Sequence, residues 1–73
     1  MATNENYENG AMNLIGRIQA TQMPREKERL MNGMGNLRFA QYRTTGDTRA
    51  RRLAANCYLA ARNFRYTAMQ AQV

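Results

Sequence analysis

A chain of 73 residues with 11 basic and 5 acidic side chains holds one small domain at most and carries a net charge of +6. It has no Ser and no His, and its one Cys is Cys57, which excludes Ser–His and Cys–His catalysis, the usual zinc ligand sets and a disulfide framework. Leu, Ile, Val and Phe together supply 10 residues against 11 Ala and 6 Met, so the 44% apolar content is poor in large core side chains.

Residues 1–9 are polar and Asn-rich and include Glu5 and Glu8; they read as a flexible arm ahead of a single small helical domain, 10–73. From Ala11 the apolar residues Leu14, Ile15 and Ile18 recur at helical spacing, which predicts a first helix over about 9–22. Pro24 suits the first position of a second helix. Arg25, Glu26, Lys27, Glu28 and Arg29 form its wet face, and Leu30 and Met31 its apolar end. Gly33 is expected to stop that helix, with Gly33 and Gly35 as a flexible joint. Leu37, Phe39, Ala40 and Tyr42 then predict a short third helix, with Gly46 as its exit and Asp47 as the N-cap of the next.

The last element is the best defined. From about 48 to 70 there is no Gly or Pro, and Ala50, Leu53, Ala54, Cys57, Ala61, Phe64 and Ala68 fall on one narrow face suited to helix packing. Cys57 on that face reads as a small buried hydrophobe rather than a reactive thiol. The expected fold is therefore all-α, a small bundle of three to four helices with a long C-terminal helix.

Nothing in this pattern supplies catalysis. Glu26 and Glu28 stand at i and i+2, which do not face each other on a helix. Gly33 and Gly35 make a bare G-x-G without a third glycine or a preceding strand. No catalytic residue, metal or cofactor is expected. Without a long apolar run or a secretory-type N-terminus, no transmembrane segment is expected, and the expected location is the cytoplasm.

The charge is unevenly placed. Residues 1–23 sum to −1, whereas 36–73 carry seven Arg against Asp47. Arg49, Arg51, Arg52, Arg62 and Arg65, with Tyr58 and Tyr66 among them, are the expected binding residues. Arg forks chelate phosphate or carboxylate, and tyrosine rings stack. The partner is a polyanion or an acidic macromolecular surface, either nucleic acid or a protein complex, and an Arg-rich helix can also simply be solvated. With so little core, a homo-oligomer or a larger assembly is expected to add stability.

Residues 37–62 also carry a recognisable pattern. Phe39 precedes a Tyr42–Arg43 pair, a Thr45–Gly46–Asp47 turn follows, and then a helix with Arg51 and Leu53. This arrangement resembles the segment that opens the core domain of bacterial sigma factors. The likeness covers about a third of the chain and stops short of any promoter-reading helix. It implies a helical piece that docks on transcription machinery. Taken together, the sequence predicts a small non-enzymatic basic protein whose Arg/Tyr-rich C-terminal helix docks on nucleic acid or on a nucleic-acid-handling complex. The alternative is a structural subunit of a larger assembly, packing through Ala/Met-rich helix faces while its Arg side chains pair with acidic neighbours.

Overall fold

A computed structural model describes residues 3–70. It shows three helices and no strand in that span: α1 (Asn4–Ala20), α2 (Pro24–Thr45) and α3 (Thr48–Gln70). The fold is all-α, with the C-terminal helix the longest. Residues 1–2 of the expected arm and 71–73 of the expected domain lie outside the described residues.

Two sequence expectations are corrected. The first is the arm, since residues 4–9 are helical. Thr3 caps α1, its side chain accepting from the Asn6 N–H at 3.3 Å. The turns that follow are held by polar contacts to the far end of α2. The Tyr7 hydroxyl donates to Thr44 Oγ1 at 3.1 Å. Arg38 Nη1 donates to Glu8 Oε1 at 2.6 Å, and Gln41 Nε2 donates to Asn4 Oδ1 at 3.2 Å. Hydrophobic periodicity cannot register an anchor made of hydrogen bonds.

The second correction concerns the Gly33 break. One helix runs from Pro24 through Gly33 and Gly35 to Thr45, where a second and a third helix were expected. Each helix-interior Gly costs about 1 kcal/mol relative to Ala. The cost is outweighed because Leu30, Met34 and Gln41 continue one buried stripe across the glycines. The helix ends instead at Gly46, which has φ 77° and ψ 9° and donates its N–H to Tyr42 O at 2.8 Å. Asp47 then accepts from the Arg49 N–H at 3.0 Å and opens α3.

α1 and α3 both run antiparallel to α2 and pack on it. No Cα of α1 lies within 8 Å of one in α3, so α2 is the common support. The Cα envelope is accordingly long and thin, 46 × 20 × 13 Å. Ala11, Met34 and Cys57, one from each helix, form the apolar centre, flanked by Leu14, Ile18, Met31 and Leu37. Along α3, Ala50, Ala54, Cys57, Ala61 and Ala68 are buried, while Leu53 and Phe64 are half-buried. Small residues let α2 come close. At Gly35 the approach is tightest: a Cβ there would stand 2.7 Å from Tyr58 Cε1.

Gly33 and Gly35 thus make opposite demands. A Cβ at Gly33 meets nothing within 4 Å. Gly33→Ala is expected to stabilise the fold by about 0.5–1 kcal/mol through helix propensity and chain entropy. Gly35→Ala has the same intrinsic gain but displaces Tyr58, so its net change is expected to be zero or a loss. Thermal unfolding of the two variants checks this; equal gains at both positions would remove the close contact as a determinant of packing.

Candidate functional site

The residues that share the outer edge of the α2–α3 seam come from both helices. On α2, Arg25, Arg29, Asn32, Asn36 and Phe39 follow each other at three- and four-residue steps and so lie on one face. On α3, Arg51, Tyr58, Arg62, Arg65 and Met69 also share one face, at steps of seven, four, three and four residues. Two open cavities follow from this pairing. The larger, about 750 Å³, is polar; its walls include Arg25, Arg29, Asn32, Asn36 and Arg65. The smaller, about 470 Å³, is more apolar; Phe39, Ala54, Ala55 and Tyr58 line it beside Arg51 and Arg52.

Tyr58 lines the smaller cavity and also joins the two helices. Its ring lies against Gly35, and its hydroxyl donates to Asn36 Oδ1 at 2.6 Å. It is a tie between helices, with one ring face committed to packing. Tyr66 is half exposed. Arg62 is its neighbour, with the guanidinium 5.8 Å from the ring centroid and Nη2 3.5 Å from the hydroxyl.

The expected Arg cluster is divided by the fold. Arg51 and Arg52 sit at the smaller cavity and Arg65 at the larger. Arg51 stacks its guanidinium 5.7 Å from the Tyr42 ring centroid. Arg65 Nε pairs with Glu28 Oε2 at 2.8 Å. Arg49 turns away toward α1, with Nη2 3.6 Å from Glu8 Oε1. Arg25 and Arg29 join the site although the sequence pattern marks them only as part of a wet helix face. Their helical spacing continues through Asn32, Asn36 and Phe39 in three- and four-residue steps, a signal hidden by the helix break expected at Gly33. Among the described residues, Arg25, Arg29 and Arg52 have no ion-pair partner.

The two cavities therefore present five Arg against the single carboxylate of Glu28. Such a surface attracts anions and can chelate phosphate or carboxylate oxygens through planar forks. Among the described residues no three His, Cys, Asp or Glu side chains gather closely enough to hold a metal ion, and no helix is long and apolar enough to cross a membrane. Burial in the apolar centre pushes the Cys57 thiol up, against a smaller opposing pull from Arg38. Comparison with known protein families, with curated proteins and with solved structures finds no match to this chain.

The acidic counterpart to the seam is Glu8, which faces Arg38, Gln41 and Arg49. Its carboxyl is held below the usual value of 4.5, first by the Arg38 hydrogen bond and then by Gln41 and the two Arg charges, with burial opposing. A lowered folded-state value means that Glu8 stabilises α1 fully above about pH 4.5. That contribution fades as the pH falls through the folded-state value. Glu8→Gln is expected to destabilise the protein at pH 7 by about 1 kcal/mol, the discounted end for a partly exposed charged hydrogen bond. Melting curves between neutral pH and pH 3 should flatten in the variant relative to the parent. An unchanged acid limb would remove Glu8 as its source.

Proposed function

We propose that this chain is a small non-enzymatic binding protein that docks through its α2–α3 seam on the phosphate backbone of nucleic acid. The supporting observation is the row of guanidinium groups contributed by two helices to one edge. Arg25, Arg29 and Arg52 have no carboxylate partner among the described residues. A guanidinium without a carboxylate keeps its donors for an incoming phosphate. Asn32 and Asn36 add neutral hydrogen-bonding groups to the same cavity. α1, with Glu5 and Glu8, packs on the Leu37 and Gln41 side of α2, away from the cavities. The likeness of residues 37–62 to the sigma-factor core domain belongs to the same proposal and makes a nucleic-acid-handling complex the setting, in the cytoplasm.

A second reading draws on a different observation. Met12, Ile15 and Met23 are exposed along α1 and the turn that follows it, as are Leu59 and Met69 on α3. A structural subunit of a larger assembly would bury such side chains against neighbours, with its Arg residues on their carboxylates.

Salt separates the two. Binding to a mixed-sequence oligonucleotide should weaken with a logarithmic slope of about −0.7 to −0.9 per phosphate contacted. Replacing Arg25 and Arg29 together by Ala should reduce that slope by about 2. Arg17→Ala, on α1, should leave it unchanged. Fluorescence anisotropy over a salt series reads all three. A partner complex that survives high salt, with no oligonucleotide bound at low salt, would replace this function with the assembly reading.

A further inference from the structure

We infer that the smaller seam cavity receives an unpaired base, so that the nucleic acid bound is single-stranded. This rests on the binding function proposed above and specifies the form of the ligand. Phe39 is 41% exposed, unusual for a large aromatic beside a helix–helix seam. Its ring is 6.1 Å from that of Tyr42 and tilted by 57°, which limits its swing. Ala54 and Ala55 keep the opposite wall low, and the open cavity has a volume of about 470 Å³.

The surroundings of this apolar space choose its occupant. Arg51 and Arg52 stand at its edge, the first already stacked on Tyr42. A ligand that fits must be flat and apolar on one side and anionic on the other, as a nucleotide is. Arg52 and Arg65 lie roughly 20 Å apart along α3 at 1.5 Å per residue. A stacked strand advances about 3.4 Å per phosphate, so about six nucleotides connect the base cavity to the Arg25, Arg29 and Arg65 cavity. A duplex is the poorer match. Its base faces are covered, and packed helices 8–10 Å apart leave a furrow too narrow to admit it. Base–aromatic stacking is sequence-tolerant, so little sequence preference is expected.

The test compares labelled oligo(dT), a mixed-sequence duplex and heparin on the full chain at matched ionic strength. Oligo(dT) should bind at least about tenfold more tightly than the duplex per phosphate contacted. Phe39→Ala should weaken oligo(dT) by about fivefold or more, the low end for one stacked base, and leave heparin unchanged. Helicity measured by circular dichroism confirms that the variant is folded. Ala55→Glu, at an exposed position, is the second variant: it places a carboxylate in the cavity and should oppose oligo(dT) more than heparin. Equal binding of strand and duplex, with Phe39→Ala silent, would overturn the base cavity and leave the proposed phosphate binding intact. No binding of any nucleic acid at low salt would overturn both, and would leave the cavity for an aromatic side chain of an acidic protein.

Discussion

Tyr58 reaches the seam because residue 35 has no side chain. The ring occupies the space a Cβ would need, and its hydroxyl closes on Asn36 one residue further along α2. That contact fixes the separation of α2 and α3 in the middle of their length. The alanines of α3 extend the same close approach toward both ends, from Ala50 to Ala68. Close backbones leave a shallow furrow on the outer edge rather than a filled interface. The furrow brings side chains from two helices to one line, so the seam and the candidate site share a single cause: smallness at the contact.

Polar bonding does for α1 what smallness does for α3. Gln41 is 0% exposed, yet its amide donates to Asn4 and Glu8 and its carbonyl oxygen accepts from Arg38. Among the described residues, no buried side-chain nitrogen or oxygen lacks a partner. A buried amide of this kind is costly unless fully bonded, and here it sets the register of α1 on α2. Glu8 draws in Arg38 and Arg49, which removes two of the ten Arg residues from the free basic surface.

Much of this was legible in the sequence wherever one physical signal dominated. The Ala face of α3, the Gly46 exit and the Asp47 cap each follow from local chemistry, and each is where the pattern puts it. The helical start of α1 was not legible, because Asn4, Tyr7 and Glu8 are ordered by partners thirty or more residues away. Gly33 misled for the converse reason: its propensity is a local cost, and the burial that outweighs it is tertiary. That error also hid half of the basic edge. Arg25, Arg29 and Phe39 share a face only if one helix carries them all. For the expected Arg side chains, sequence spacing set a flank but not which of them a carboxylate would occupy, as Arg49 and Arg65 are.

The lack of any close backbone approach between α1 and α3 bears on how the molecule assembles. Every helix pair that packs is also adjacent along the chain, joined by a short turn. Chain closure is therefore inexpensive for each hairpin, the topology associated with rapid folding. It also makes the two hairpins unequal in autonomy. α2 and α3 share the extended seam, whereas α1 adds a polar clasp at one end and an apolar patch at the middle. Local opening of α1 leaves the basic furrow in place, so the exchange of amide protons in the first helix is separable from the integrity of the second and third.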